Sequence, residues 1–321
     1  MTGQGWSEAS VHAWLSQHLH GTAIDGHVRR PIHDAAVLPF SAGLLATCCD
    51  RTEEGVHFTS EAHLRGIAHK AVGRSLSDLA ATAAEPVGML LALSAPKGFP
   101  ESKLIELLDA VIERGAQLGA PLLGGDLTAS GEGLSLVVTA IGRAPEDPPG
   151  RDRLQEGDVI VLTGPVGGSR IGRHLWIEPR LALGRQLHAA GARAMMDVSD
   201  GLALDLSRLA RSSDLAIDLL AVCVHPDANT MSQKDGRSAF EHALFDGEDH
   251  ELLAGVSEQL AFGGELPGLW PIGRVRSAGD EAAGLWLADE LVPSALCSLP
   301  PSPSKLHPFD PVDARAYLHG H

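Results

Sequence analysis

Positive charge is in short supply in this 321-residue chain. Lys and Arg number 25 against 41 acidic residues, a formal net charge of −16. A surface for nucleic acid or an anionic membrane needs clustered Lys and Arg, so neither is an expected partner. A phosphorylated substrate is not excluded, because carboxylates hold phosphates when a divalent metal sits between them. Cysteine is scarce too: Cys48, Cys49, Cys223 and Cys297. None forms a C-x-x-C pair, which argues against a zinc site or a disulfide framework and suits a reducing cytoplasm. No apolar run approaches a membrane span, and residues 1–19 show neither a basic nor an apolar signal-peptide region. The expected location is therefore cytoplasmic. Several catalytic signatures are missing as well: the phosphate loop G-x-x-x-x-G-K-[ST], the nucleophile elbow G-x-S-x-G, H-E-x-x-H and the kinase catalytic loop. Gly164 to Gly172 follows a strand but lacks the G-x-G-x-x-G spacing, and reads as a plain turn.

What is present is an ordinary globular composition, 44% hydrophobic and 21% charged, long enough for about two domains. Apolar periodicity predicts helices over 5–20, 61–83, 102–118, 181–190 and 202–210. In the second of these, Leu64, Ile67, Ala68, Ala71, Val72, Leu76 and Leu79 recur at three and four residues. In the third, Leu104, Leu107, Leu108, Val111 and Ile112 are expected inward. Short Val- and Leu-rich runs predict strands from Asp34, over 43–49, 89–93, 134–141, 159–163, 194–198, 215–222, 252–256 and 271–275. The stretch 144–153 is linker-like, and the proline-rich tail 300–311 reads as irregular. Strands and helices alternate in both halves, so the expected class is α+β (or α/β-like) in two domains, 1–148 and 149–321.

Short aspartate motifs recur in apolar surroundings: HDAAVL (33–38), Cys49-Asp50, SLSDLA (75–80), LLGGDLT (122–128), MDVSDGL (196–202) and DGEDHELL (246–253). Carboxylates among apolar residues are costly unless paired or metal-bound. Taken singly, Asp78 could pair with a basic neighbour, Asp126 could belong to a turn, Ser199 and Asp200 could be helix caps, and His57 could be a core histidine. Taken together, they suggest a shared acidic metal site.

The order and spacing of these motifs, with EGVHF (54–58), VVTAIGRAP (137–145), GDVIVLTG (157–164), EPRLALG (178–184) and IGRV (272–275), resemble thiamine-monophosphate kinase, within the aminoimidazole-ribonucleotide-synthetase-like superfamily. The resemblance runs from about residue 32 to 275. It implies ATP-dependent, Mg²⁺-assisted phosphorylation of thiamine monophosphate to thiamine diphosphate. It also implies a homodimer whose N-terminal sheets meet in a barrel, and a C-terminal α/β sandwich. Carried over by position, the metal ligands would be Asp34, Cys49 (through its carbonyl), Asp50, Asp78, Asp126, Asp197 and Asp200. ATP would meet Gly125, Asp126, Arg151 and Ser199, and the thiamine phosphate His57 and Asp249. The alternatives are another ATP-using superfamily enzyme, similar to aminoimidazole-ribonucleotide synthetase, and a non-catalytic nucleotide or thiamine-phosphate binder. The chain departs from the family pattern at Ile32-His33, where a Gly-Asp pair is usual, at Ala83 and Asp246, both usually Gly, and in a shorter stretch between Thr163 and Pro179. Phe309 and Tyr317 are both candidates for the aromatic that closes over the thiamine ring.

Overall fold

The structure, a computed structural model, describes residues 36–40, 43–131, 133–294, 299 and 306–309. The expected helix over 5–20, the His33-Asp34 loop and Tyr317 lie outside the described residues.

Among the described residues, the strands form two sheets. The first holds β1 (Ala36–Phe40), β2 (Gly43–Glu53), β3 (Glu85–Pro96), β4 (Leu122–Ser130) and β5 (Ser135–Ala144), in the order β1-β2-β5-β3-β4. It is an open sheet with β1 and β4 at its edges. One face is covered by α1 (Leu64–Ala81) and α2 (Glu101–Gln117). The second sheet runs β12-β11-β8-β10-β6-β9-β7, built from β6 (Val159–Leu162), β7 (Ala194–Asp197), β8 (Leu215–Val222), β9 (Leu252–Val256), β10 (Trp270–Ser277), β11 (Gly284–Pro293) and β12 (Leu306–Pro308). Helices α3 (Leu181–Ala189), α4 (Leu202–Ser212), α5 (Pro226–Asp235), α6 (Ala239–Phe245) and α7 (Glu258–Phe262) complete this half.

The core follows strand alternation. Val159 and Val161 of β6 face a cluster shared with the first sheet and α1, whereas Ile160 and Leu162 face a second cluster with Leu206 and Leu209 of α4. Helix α1 is therefore packed on nearly all sides, and its small residues allow this. A Cβ on Gly73 would lie 2.7 Å from the Ile177 Cβ. Burial of Leu76, Leu79, Val72 and Ile67 there removes each from water, worth about 1.5–3 kcal/mol apiece.

Several expectations change. Gly124-Gly125-Asp126, expected in a turn, lies within β4, paired parallel to β3. Gly125 is required there, since a Cβ would fall 1.8 Å from the Leu91 carbonyl oxygen. Ile112 is exposed; the buried face of α2 runs through Leu107, Val111 and Arg114, whose guanidinium donates to the Ile177 carbonyl at 2.7 Å and pairs with Glu178. Helices α5 to α7 and strand β11 had no sequence expectation, and β12 falls in the tail read as irregular.

Candidate functional site

One face of α1 organises the site. Lys70, Arg74, Ser77 and Asp78 recur at helical spacing and look across to β2 and the loop after it, the end of β7, and the loop that leads into β9.

At the C-terminal part of this face, Asp78 meets β2. Cys48 and Asp50 share the inner side of that strand, and the ligand atoms of Cys48, Asp50 and Asp78 lie within 4.8 Å of one another. Burial, then the charges of Asp50 and Asp197, push the Asp78 carboxyl well above its usual range. Burial, then Asp78 and Asp50, do the same to the Cys48 thiol, which donates to the Ser75 carbonyl at 2.9 Å. A protonated thiol is no metal ligand, so the two carboxylates are the better donors. One Asp50 oxygen, Oδ2, is buried without a hydrogen-bond partner. Arg74 lies 3.9 Å from the other. The Cys49 side chain projects from the opposite face of the sheet, exposed, where its sulfur accepts from the Thr139 hydroxyl.

Asp197, at the end of β7, accepts from the Ser77 hydroxyl at 2.7 Å and bonds His250 Nδ1 at 2.9 Å. Burial alone would raise its carboxyl; His250, Ser77 and Arg151 outweigh that and hold it low. The loop beyond it is shaped by Asp205, which accepts the backbone N–H groups of Ser199 and Asp200, each at 3.0 Å. Burial, then Asp200, raise Asp205 to about 7. Asp200 itself is half exposed and paired with Arg208. Arg151 is within electrostatic reach of Asp197, Asp205 and Asp200.

The N-terminal part of the α1 face meets two other loops. Lys70 donates to the His57 carbonyl at 2.7 Å and pairs with Glu248. His57 Nδ1 accepts the Glu53 N–H at 3.1 Å, and burial, then Arg74, lower the ring to about 4. The imidazole is thus neutral near pH 7, with its proton on Nε2. Asp249 accepts from the Gly167 N–H and from Arg173, both at 2.9 Å, while burial raises it to about 6 against the Arg173 charge. Glu248 and His250 both take positive φ, 55° and 51°, a conformation non-glycine residues adopt only where packing imposes it. The imposing contacts are backbone bonds from Glu248 to Ser199 and from His250 to Val198.

Asp50, Asp78 and Asp197 thus converge, with Asp200, Ser199 and Arg151 beside them. The loops carrying His57 and Asp249 meet at the other part of the same helix face, where Lys70 bonds the His57 carbonyl and Glu248. Asp126 does not join them within this chain. It is exposed on the edge strand β4, in register with Ala92, Val137 and Arg51, on the side of the sheet away from α1. Asp34 lies outside the described residues. Sequence reasoning missed Lys70, Ser77, Arg173, Asp205, Glu248 and His250. Of these, Ser77, Glu248 and His250 stood inside motifs already singled out.

Comparison with known proteins gives the family. Residues 32–144 match the family described as AIR synthase related protein, N-terminal domain. A thiamine-monophosphate kinase of Rhodopirellula baltica is 36% identical over 218 residues, 67% of this chain and 69% of that protein. The chain belongs to the thiamine-monophosphate kinase family. The family's thiamine-monophosphate kinase from Stenotrophomonas maltophilia K279a has a crystal structure that superposes with a TM-score of 0.68 at 29% identity, over 88% of this chain and 96% of that one. A structure of AaThiL complexed with AMPPCP and TMP gives 0.79 at 24% identity, over 92% and 99%, a likeness of fold.

Two of the departures from the family pattern, at Ala83 and Asp246, lie among the described residues. Ala83 sits at φ 54°, just past the end of α1. Asp246, where glycine is usual, is buried and fully engaged: it accepts from Arg237 and from the Gly168 N–H, and bonds the buried His242 at 2.8 Å. It ties the GED loop to the short segment after Thr163. That segment folds as two 3₁₀ turns, Ser169–Ile171 and Arg173–Leu175, and supplies Arg173 to Asp249. Phe309 is buried against Phe245, with ring centroids 6.3 Å apart.

Proposed function

We propose that this chain transfers the γ-phosphoryl group of ATP to thiamine monophosphate, forming thiamine diphosphate. The observation that carries the reading is the division of one α1 face between three crowded aspartates and, two turns away, the His57 and Asp249 loops. Family membership supplies the substrate class.

The aspartates fit divalent metal. Asp50 and Asp78 are close enough to repel, Asp78 is raised by its neighbours, and Asp50 keeps a buried oxygen unpartnered. Mg²⁺ favours such oxygen donors, and when bound it would neutralise the repulsion between donor and acceptor phosphates. Asp50, Asp78, Asp197 and Asp200 would hold it, with Asp34 and the Cys49 carbonyl as further donors. Arg151, Ser199 and Gly125 would bind ATP; His57 and Asp249 would orient the thiamine phosphate. The acceptor oxygen is already anionic, so transfer needs positioning and charge neutralisation more than a strong base.

The reading includes a homodimer and a division of the chain near residue 148. The outer face of the N-terminal sheet supports the first, since Leu90 and Leu123 are exposed there. Two such faces would close into a barrel, and Asp126 on that face would serve a site completed across it. A monomer mass in sedimentation would remove this part. Free Cys48, Cys49 and Cys223 and the need for ATP support a cytoplasmic enzyme. Among the described residues no helix is long and apolar enough to cross a membrane.

The decisive measurement is thiamine diphosphate formation by the purified protein with ATP, Mg²⁺ and thiamine monophosphate. Product is expected. Its absence, with ATP still bound, would sink the reading and leave a different acceptor or a non-catalytic binder.

A further inference from the structure

Lys70 is wholly buried, although it stands in the middle of a helix with basic residues on its exposed turns. A buried ammonium is costly unless fully engaged. Two partners engage it, and neither is near in sequence: the carbonyl of His57, at 2.7 Å, and the carboxylate of Glu248, 178 residues away. Glu248 is the neighbour of Asp249, and its own N–H is held by the Ser199 carbonyl at 2.8 Å. One side chain therefore joins the loop carrying His57, the loop carrying Asp249, and the helix carrying Ser77 and Asp78.

We propose that Lys70, through Glu248, is a positioning residue that fixes the acceptor-binding loops at a set distance from the metal-binding aspartates. Lys70 and Asp78 are eight residues apart on the same face, about 12 Å along a helix. Arg74, one turn on from Lys70, contacts Asp50 and the Arg51 carbonyl, so the same face also grips the strand that carries the metal-side carboxylate. Phosphoryl transfer depends on holding acceptor and donor in line, and small misplacement is expensive. The pair's worth is then geometric. As a source of stability it could be replaced, because apolar substitutes for a buried ion pair are often neutral.

The inference rests on the proposed function for its kinetic readout, and its test separates the two. In the Lys70→Met/Glu248→Leu double variant both charges go together, so the fold should survive with little change in thermal midpoint. Its KM for thiamine monophosphate should rise about 10-fold, while its KM for ATP stays within about 2-fold. Amide exchange over residues 53–58 and 246–250 should accelerate in both segments together. Glu248→Gln, which keeps a hydrogen bond to Lys70, should give a smaller shift in the same direction and covers the case of a double variant that does not fold. A folded variant with parental KM and parental exchange in both segments overturns the proposal. If the unaltered protein makes no thiamine diphosphate, the functional reading fails on that result, and exchange in the same variants still decides whether Lys70 couples the loops.

Discussion

The two ends of the α1 face are built on opposite electrostatic plans. Around Asp78, carboxylates crowd: Asp50 and Asp197 both raise it, and the nearest cation to Asp50, Arg74, stands 3.9 Å away. Around Lys70, each buried charge has an opposite charge in contact, Lys70 with Glu248 and Arg173 with Asp249. On the proposed reading the first region would be completed by a bound cation, while in the second the chain itself supplies the opposite charges and leaves Asp249 Oδ2 buried without a hydrogen-bond partner. In thermal stability the first should respond strongly to metal and weakly to neutralising one charge; the second should respond in the reverse way.

The largest effect is expected at the crowded end. Asn has the shape of a protonated aspartic acid, so Asp78→Asn removes a repelled charge with little change in packing. Turnover should fall roughly 1000-fold, a loss of several kcal/mol of barrier lowering. The thermal midpoint of the metal-free protein should not fall, and the rise that Mg²⁺ gives the parent should be abolished. An Asp78→Asn protein that keeps full activity, or that melts early without metal, would erase the contrast between the two ends.

A smaller effect tests the complete end. Asp249 titrates at about 6, so it is ionised above that pH and neutral below it. If its negative charge draws in the cationic thiamine ring, KM for thiamine monophosphate should climb as pH falls through about 6, approaching tenfold per unit once Asp249 is mostly protonated. The substrate phosphate also takes up a proton near 6, so the comparison is with Asp249→Asn. That variant should have a raised KM throughout and a flatter profile, keeping only the phosphate's share. Identical profiles for parent and variant would mean Asp249 shapes the loop without meeting the substrate.

How much of this was readable in the sequence depended on distance along the chain. Helix α1 was readable because its apolar residues repeat locally. So were β6, whose continuous apolar run suits a strand buried on both faces, and β8, whose run is broken only by Asp218, which pairs with Arg276. The Gly-Gly pair before Asp126 signals a turn by local rules, yet it lies in a strand. The reason is Leu91 pressing on Gly125 from the neighbouring strand, a contact no local rule contains. The aspartates were found because they recur in motifs. Lys70 was not, because a lysine at helical spacing reads as solvent-facing until Glu248 is placed beside it. Arg173 and Asp205 were missed for the same reason: one meets a carboxylate 76 residues away, and the other turns back on backbone N–H groups that only the folded loop presents.

The smallest expected effect lies on the helix that joins the two ends. Three helices close with the same pair of backbone bonds, in which the third residue past the helix bonds five residues back. Ala120 bonds Gly115 after α2, Ala192 bonds Leu187 after α3, and Ala84 bonds Leu79 after α1. The residue in the left-handed position is Gly119 in the first and Gly191 in the second, but Ala83 in the third, at φ 54°. An L-residue there carries a Cβ against the following carbonyl, at a cost of about 1 kcal/mol. Glycine loses more backbone freedom on folding, which offsets part of the gain. Ala83→Gly should therefore stabilise the protein by a few tenths of a kcal/mol up to about 1 kcal/mol, read by chemical denaturation. Ala83 touches neither end of the site, so kcat and both KM values should stay parental. A kinetic change on this substitution would mean that α1 is not the rigid rule between the two ends, and would weaken the spacing role assigned to Lys70 along with it.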